Sequence, residues 1–447
     1  MFQINSRGGR TGMASFRIII LSYIALILLG TLLLMLPVSS RTGNMTSFPD
    51  AVFTAVSASC VTGLVVKDTC TYWSVFGQTV ILILIQIGGM GIITVGLAIM
   101  MITGKKIGLW QRSTMQESIS APQVGGIVRL TGFIIRTAAV IELVGAALLS
   151  PVFVSEFGVI KGIWYSVFHS ISAFCNAGFD LMGVKGEFSS FTHYADNIYF
   201  NVVIMLLIII GGIGFLVWND VKIHKYRISR YSLQSKVVLL TSLILIILPA
   251  IYLFAYEYKS LELGERVISS LFQSVTARTA GFNTKDIVQM GESGAAVMII
   301  LMLIGGSPGS TAGGIKTATF AVLFLSAVTV FGRRNDVQCF KRRISDEAVR
   351  NAGAVLFIYL VLFFTSGIII SITEGLPLLT CLFEAGSAIG TVGLTFGITG
   401  KLTLLSRTIL MILMFFGRVG GLTLIYAALP SAENLNSRMP LEKISVG

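Results

Sequence analysis

Long apolar stretches divide this sequence, and they constrain its fold more than any other feature. Eight of them contain about 20 residues or more, the length that an α-helix needs to cross the hydrocarbon core of a bilayer. Because a bilayer offers backbone groups no water to bond with, such stretches fold as helices. The sequence therefore predicts an all-α polytopic membrane protein. The eight stretches comprise residues 17–38, 75–102, 128–154, 197–218, 236–256, 294–331, 348–373 and 403–429.

The charged residues support this prediction and indicate an orientation. Only 12% of the 447 residues are charged, about half the fraction that is usual in soluble domains. Of the 33 basic residues, 21 lie in the set of loops that includes both termini, and nine lie in the other set. The positive-inside rule then places both termini in the cytoplasm. The net charge of +12 therefore reflects orientation in a membrane, and we expect no nucleic-acid partner.

A shorter, semi-polar segment lies between the two spans of each consecutive pair, and the four segments match one another. Each begins with phenylalanine and ends with a glycine that leucine or phenylalanine follows. The final glycines are Gly63, Gly178, Gly281 and Gly393, which are 115, 103 and 112 residues apart. A period near 110 indicates an internal repeat of helix, re-entrant loop and helix. The segments are FTAVSASCVTGL (53–64), FHSISAFCNAGF (168–179), FQSVTARTAGF (272–282) and FEAGSAIGTVGL (383–394).

A second landmark, rich in glycine, recurs in the second span of each repeat. Two landmarks in the same order in all four repeats make a chance match improbable. We therefore assign four repeats of helix, re-entrant loop and helix around one shared pore to residues 1–104, 105–221, 222–333 and 334–447. The landmarks are Gly88-Gly89-Met90-Gly91, Gly211-Gly212-Ile213-Gly214, Gly305-Gly306-Ser307-Pro308 and Gly417-Arg418-Val419-Gly420.

The repeated segment has the composition of a cation pathway. Irregular backbone survives at membrane depth only where protein or a water-filled cavity satisfies its polar groups. Glycine permits positive φ angles that turn carbonyl oxygens towards an axis, and rings of carbonyls replace the hydration shell of a cation. A filter for divalent cations would need a ring of carboxylates, which Glu384 alone cannot form. A single Gly-Leu or Gly-Phe pair would be an ordinary turn, but four copies in phase with the spans favour a pore for a monovalent cation.

These segments resemble the Trk/Ktr/HKT superfamily of potassium transporters, in particular the membrane subunit of bacterial Ktr systems. The resemblance covers essentially the whole chain and implies four M1-P-M2 repeats with a filter glycine in each. Glycine in all four repeats is similar to the potassium-selective pattern, since some plant relatives that favour sodium have serine at the first position. The filter residues implied are Val61, Thr62, Gly63, Asn176, Ala177, Gly178, Thr279, Ala280, Gly281, Thr391, Val392 and Gly393, with potassium held by their backbone carbonyls.

The resemblance also implies a function and partners. It implies potassium uptake across the bacterial plasma membrane by a homodimer, set in membrane lipids and regulated by a cytosolic nucleotide-binding ring of RCK type. Potassium would be the substrate and sodium an activator or coupled ion, with no cofactor in this chain. Two alternatives are a sodium-coupled carrier of another small solute and a membrane enzyme. For an enzyme the sequence offers neither a clustered catalytic dyad nor a metal set.

The sixth span is interrupted by the ten residues 305–314. A regular helix does not run through five glycines and a proline. In the family that the chain resembles, the matching loop obstructs the pore as a gate; the alternative is a static break that closes a cavity. A phosphate-binding loop is excluded because Ile315 separates Gly314 from Lys316 and no β-strand precedes it. The implied gate comprises Gly305, Gly306, Ser307, Pro308, Gly309, Ser310, Thr311, Ala312, Gly313, Gly314, Lys316 and Arg418.

Several charged residues fall inside predicted spans or pore segments. Arg418 replaces the glycine that the other three landmarks carry, and a buried guanidinium needs partners. The carbonyls of a broken helix would suit its five donors, and the resemblance implies a role in holding the closed pore; the alternative is an arginine paired with a carboxylate. Glu142, Arg278 and Glu384 are functional candidates because they are intramembrane charges, and Arg278 and Glu384 could equally tie pore helices to their scaffold.

Overall fold

Helices make up most of the described structure. The computed structural model describes residues 8–103, 107–119, 125–421, 423, 424 and 442. Within this part the helices are α1 (Gly8–Met35), α2 (Phe48–Ser59), α3 (Val75–Met90), α4 (Ile92–Ile102), α5 (Leu109–Ile119), α6 (Ile127–Phe157), α7 (Val159–Phe174), α8 (Ile198–Gly212), α9 (Phe215–His224), α10 (Leu233–Tyr252), α11 (Leu263–Thr276), α12 (Glu292–Leu303), α13 (Thr317–Phe331), α14 (Asp346–Glu374), α15 (Leu378–Ile389) and α16 (Leu404–Val419). A two-stranded hairpin, β1 (Gln338–Cys339) and β2 (Arg342–Arg343), follows α13.

Several of these helices are long and apolar enough to cross a membrane. By length and composition, four described helices qualify: α1, α6, α10 with its π-helical extension Leu253–Glu257, and α14. The pair α8 and α9 counts as a fifth if the two are one bent span. Helices α3, α12, α13 and α15 are apolar but shorter. The prediction of a mainly helical chain with several apolar helices is confirmed.

The prediction of continuous helices over residues 75–102 and 197–218 is wrong. The first stretch breaks at Gly91, where φ is +85°, and the second breaks at Gly214, where φ is +101° and the two helices meet at 94°. A left-handed residue cannot continue a right-handed helix, so each glycine ends the helix before it. Helix α16 likewise ends next to Gly420, at φ +92°, inside the predicted stretch 403–429. Residues 425–429 lie outside the described part of the chain.

Helix α5 and the β1–β2 hairpin were treated as loops in the sequence analysis. Helix α5 is only 11 residues long and lacks a strong apolar pattern, so length and hydropathy gave no signal for it. The hairpin consists of two strands of two residues each, joined by a two-residue turn. Such short elements depend on their neighbours for stability, which a sequence pattern does not reveal.

The repeated segments begin in the C-terminal halves of four short helices, α2, α7, α11 and α15, which lie at the centre of the molecule. Their aligned phenylalanines, Phe53, Phe168, Phe272 and Phe383, are fully buried. The repeats contact one another in cyclic order, through α3 with α7, α8 with α11, α12 with α15, and α16 with α2. The four segments are thereby held around a common centre.

The glycines of the second landmark allow the close approach on which this packing depends. A methyl group built on Gly88 would collide with the carbonyl oxygen of Ser59, the last residue of α2. The same is true of Gly211 with Phe174 at the end of α7, and of Gly417 with Ile389 at the end of α15. Small residues permit helix backbones to touch in a membrane protein. The repeated glycine therefore has a packing role in at least three repeats.

This packing predicts the effect of adding one methyl group. The variant Gly88→Ala should be less stable than the wild type by about 1–3 kcal/mol, because the added group overlaps a backbone carbonyl that cannot move freely. Gly353→Ala, in α14, is the matched control, since no atom lies within 4 Å of the added methyl group. The measurement is the thermal unfolding midpoint of both variants in detergent. Equal midpoints for Gly88→Ala and the control would contradict this packing role.

Candidate functional site

The four repeated segments meet in a closed ring of glycines. A methyl group built on Gly63 would lie 2.5 Å from the carbonyl oxygen of Ala177 and 3.0 Å from Cα of Gly178. One built on Gly178 would lie 3.1 Å from Cα of Gly281, and one on Gly281 would lie 3.3 Å from Cα of Gly393. One built on Gly393 would lie 3.0 Å from Cα of Gly63, which closes the ring. There is no room for a side chain at any of the four positions.

Each segment has the same alternating backbone. The four ring glycines have φ between +70° and +93°, as the sequence analysis expected of glycine. The residue two positions earlier is also left-handed in every repeat, with φ +58° at Val61, +58° at Asn176, +76° at Thr279 and +50° at Thr391. Asparagine tolerates this region, but β-branched residues rarely enter it and pay about 1–3 kcal/mol each. The surrounding structure must therefore impose this conformation.

Hydroxyl groups near the end of each short helix hold the segments in place. The hydroxyl oxygens of Ser57 and Ser387 accept the amide N–H of Gly63 at 3.1 Å and of Gly393 at 3.0 Å. Those of Ser172 and Thr276 instead donate, each at 2.6 Å, to the carbonyl of the residue after the glycine. These four side chains are not among the predicted filter residues. They nevertheless occupy equivalent positions in the four aligned segments, four residues after each phenylalanine, and this repetition is the sequence signal for them.

The ring is an acceptor-rich and uncharged environment. The short helices end at the segments, so the partial negative charge of four helix C-termini faces the centre. The hydroxyl oxygens of Thr62 and Thr391 are buried without a hydrogen-bond partner. Among the described residues, no group of three or more His, Cys, Asp or Glu side chains could hold a metal ion. Carbonyl oxygens of this kind suit a weakly held, dehydrated monovalent cation.

The interrupted span lies directly against this ring. A methyl group built on Gly305 would lie 3.1 Å from Cγ2 of Thr279, and one on Gly313 would touch the side chain of Thr391. The segment that the sequence analysis singled out, residues 305–314, is thus in contact with two of the four ring segments. Its residues Gly305, Gly306, Ser307, Thr311, Ala312, Gly313 and Gly314 are buried, and Pro308, Gly309 and Ser310 are half-buried.

Hydrogen bonds tie this segment to the broken helix of the second repeat. The amide groups of Ser307 and Thr311 donate to the carbonyls of Gly212, at 3.0 Å, and Gly211, at 3.3 Å. The amide of Phe215 donates in return to the carbonyl of Gly309 at 2.6 Å. The breaks in the second and third repeats therefore satisfy each other's exposed backbone groups.

Arg418 connects the segment to the first and fourth repeats. Its guanidinium donates to the carbonyls of Thr311 in the segment, Gly88 and Gly89, the last at 2.9 Å. Within the described part of the chain it has no carboxylate partner. The interpretation that its donors meet the carbonyls of broken helices agrees with this geometry. Lys316 is nearby and donates to the carbonyl of Ala312 at 2.7 Å.

The other intramembrane charges contact the scaffold. Glu384 accepts hydrogen bonds from Thr395, from the amide of Phe396 at 3.1 Å and from Thr399 at 2.9 Å, which ties α15 to the chain after the ring. Arg278 donates to the hydroxyl of Ser242 in α10 at 3.2 Å. Glu142 in α6 accepts from Gln86 in α3 at 2.9 Å. In the described structure, none of the three side chains is among the nearest contacts of a methyl group built on a ring glycine.

Comparison with known proteins places this architecture in a family. The sequence matches the TrkH family, described as cation transport protein, over residues 6–437. It is 39% identical to the potassium/sodium uptake protein NtpJ of Enterococcus hirae, over 98% of both chains. It is also 39% identical to the Ktr system potassium uptake protein B of Bacillus subtilis, over 96% of both chains.

A solved structure shares the fold. The potassium transporter TrkH from Vibrio parahaemolyticus superposes with a TM-score of 0.72 at 19% identity, covering 96% of this chain and 86% of the other. The relatives are transport proteins, which confirms the prediction that this chain is not an enzyme. The family match over nearly the whole length, together with relatives at 39% identity, shows that the chain belongs to the TrkH family of cation transport proteins.

Proposed function

We propose that the chain is the ion-translocating subunit of a Ktr-type system and takes up potassium through one pore. The observation that carries the proposal is the closed ring of Gly63, Gly178, Gly281 and Gly393, each of which touches the next. A ring built from four repeats of one chain leaves a single axis on which an ion can be surrounded by carbonyls. The names of the relatives at 39% identity support potassium as the ion.

Eight spans in four repeats form the proposed membrane layout. Each repeat contributes one long helix and one short pore helix, and the first three repeats each contribute one broken helix within the described residues. Repeat 1 (1–104) contains α1, α2 and α3–α4, and repeat 2 (105–221) contains α6, α7 and α8–α9. Repeat 3 (222–333) contains α10, α11 and α12–α13, and repeat 4 (334–447) contains α14, α15 and α16. The cyclic contacts between repeats support this assignment. The distribution of basic residues supports cytoplasmic termini in a bacterial plasma membrane.

The ring and the residues before its glycines form the proposed selectivity filter. Alternating backbone handedness presents successive carbonyl oxygens of each segment, and the hydroxyls of Ser57, Ser172, Thr276 and Ser387 fix that backbone. A fixed carbonyl cage compensates a potassium ion for its lost hydration shell. Sodium remains a second ion of the proposal, as an activator or coupled ion, and the name of the Enterococcus relative supports it.

The segment 305–314, with Lys316 and Arg418, is the proposed gate. Its contacts with Thr279 and Thr391, each two residues before a ring glycine, support a position directly below the ring, where it would obstruct the path of an ion. Arg418 both anchors the segment and puts a positive charge beside the path. The names of the Ktr relatives support assembly into a Ktr system. A homodimer on a cytosolic nucleotide-binding ring is the assembly that we propose.

Growth rescue tests the proposed function. Bacteria that lack potassium uptake should grow on low potassium when they express this chain with its regulatory partner, because the pore would admit potassium down its electrochemical gradient. The control is the Gly281→Trp variant, whose side chain would fill the ring. Failure of the wild-type chain to rescue growth, with its presence in the membrane verified, would contradict the proposal and favour a carrier of another small solute.

A serine at Gly63 should weaken the discrimination between potassium and sodium. The added side chain would overlap Ala177 and force the backbone out of φ +92°, at a strain of about 1–3 kcal/mol that displaced carbonyls would relieve. We expect the ratio of rubidium to sodium uptake to fall by at least about fivefold. The measurement is uptake of both ions into cells or liposomes.

Gly264→Ser is the matched control for this variant. Gly264 lies exposed in the first turn of α11, with no atom within 4 Å of an added methyl group. Its uptake ratio should equal that of the wild type. An unchanged ratio in Gly63→Ser would show that Gly63 does not line the filter.

Weakening the gate should raise basal flux in the absence of the partner. Deletion of residues 309–313 removes the obstruction, and Arg418→Ala removes its anchor and the repelling charge. Loss of the charged hydrogen bonds should raise flux about tenfold. The two changes act on one step, so their combined effect should be less than additive. The measurement is potassium flux from liposomes that contain the chain alone.

Two further variants make this test specific. Arg418→Lys keeps the charge but loses the forked donors; high basal flux in this variant assigns the effect to anchoring, and low flux assigns it to charge. Arg230→Ala, an exposed change far from the segment, should leave basal flux unchanged. Wild-type basal flux in Arg418→Ala and in the deletion variant, both correctly folded, would mean that the segment is only structural.

A further inference from the structure

An apolar cavity of about 500 Å³ lies between α10, α12, α13 and the β1–β2 hairpin, apart from the ring and from Arg418. Its volume is within the range of about 300–1,000 Å³ that is usual for ligand sites. Its described lining residues are aliphatic or aromatic apart from Thr241 and Cys339, and none is charged. The cavity therefore suits a hydrocarbon chain.

The cavity is accessible from the lipid-facing side of the helices. Leu240, Leu248, Ile300 and Phe324 all line it, and each is roughly half exposed or more. These residues lie on helices that are apolar enough to lie in a membrane. An occupant can therefore enter sideways, without passing through the ring.

The hairpin at one end of the cavity has an unusual turn. Its two turn residues, Phe340 and Lys341, have φ of +48° and +61°. Tight hairpin turns with two left-handed residues usually contain glycine, asparagine or aspartate, because bulky side chains are strained there. This turn instead places the ring of Phe340 at the cavity end. Strained backbone of this kind clusters at functional sites in proteins.

The same hairpin carries positive charge on the face towards the cavity. Arg342 is paired directly with Cys339 in the two-stranded register, so their side chains lie on the same face, and Cys339 lines the cavity. Arg342 has no ion-pair partner in the described part of the chain. Arg343, on the opposite face, pairs with Asp336 at 3.0 Å. An unneutralised guanidinium therefore lies beside the end of a hydrocarbon-lined space.

We propose that this cavity binds one acyl chain of an anionic phospholipid, whose phosphate is held by Arg342 and Lys341. The apolar lining alone would not select a lipid, since bilayer hydrocarbon is as apolar as the cavity. Basic side chains at the end of the cavity supply the preference for a negative headgroup. The bound chain touches Ile304 and Phe320, on the two helices that flank residues 305–314. The lipid is thus a candidate effector of that segment.

Lipid retention tests the proposal without depending on transport. The purified full-length chain is incubated with phosphatidylglycerol or with phosphatidylcholine, and retained lipid is measured by native mass spectrometry. One molecule of phosphatidylglycerol per chain should be retained in preference to phosphatidylcholine. Arg342→Gln should weaken this binding about fivefold, the factor that corresponds to about 1 kcal/mol per basic residue. Arg334→Gln, an exposed change in the same loop, should have no effect.

A second pair of variants and a chemical probe locate the lipid. Ala321→Trp fills the cavity and should abolish retention, whereas Leu243→Trp, on α10 outside the cavity, should not. Cys339 is half-buried and the other four cysteines are buried, so maleimide labelling reports on this site. Phosphatidylglycerol should slow that labelling in the wild type and not in Arg342→Gln.

Three results would overturn the proposal. The first is equal retention of the two lipids by the wild type. The second is unchanged retention in Arg342→Gln, a surface change that leaves the fold intact. The third is a rate of maleimide labelling of Cys339 that falls as the protein concentration rises and does not change with phosphatidylglycerol. That result would show that a second copy of the chain covers the cavity.

Discussion

Four stretches of irregular backbone lie within a bundle of apolar helices, and the rest of the structure is arranged to satisfy their polar groups. In hydrocarbon an unpaired amide or carbonyl costs several kcal/mol. Each ring segment therefore has a hydroxyl from its own short helix, such as Ser57 for the amide of Gly63. At the break after α8 the carbonyl of Gly212 accepts the amide of Ser307 from the third repeat, and at the end of α3 the guanidinium of Arg418 from the fourth repeat bonds the exposed carbonyls. Because these bonds join different repeats, the repeats depend on one another for stability.

The same requirement explains where the chain uses glycine. The ring leaves no space for a side chain at Gly63, and the contact of Gly88 with the end of α2 leaves none there either. In both places two backbones touch, so no lipid separates them. Glycine usually weakens a helix. Here its cost is offset by close packing that a side chain would prevent.

Much of this arrangement could be predicted from the sequence, because it is repeated. The glycines of the ring, their left-handed backbone and the break at residues 305–314 follow from pattern and from the properties of glycine. The breaks at Gly91 and Gly214 were missed, since a glycine inside an apolar stretch is usually tolerated in a helix. The left-handed backbone of Val61 was also missed, because a β-branched residue opposes it locally. The tertiary packing around the segment and the hydroxyl of Ser57, which accepts the amide of Gly63, hold that conformation, and a local sequence pattern does not display them.

The departures from fourfold symmetry have a common location. Three repeats have glycine where the fourth has Arg418, and of the three breaks described on both sides, the third repeat's has the long insertion between its half-helices. The two departures meet, since the guanidinium of Arg418 bonds to the carbonyl of Thr311 in that insertion. A cage that selects an ion by its carbonyls benefits from equivalent contributions by all four repeats. An element that opens and closes needs the reverse, a single movable segment with one partner that holds it. The chain therefore keeps its symmetry at the ring and gives it up immediately beside the ring, which is the division that the proposed filter and gate require.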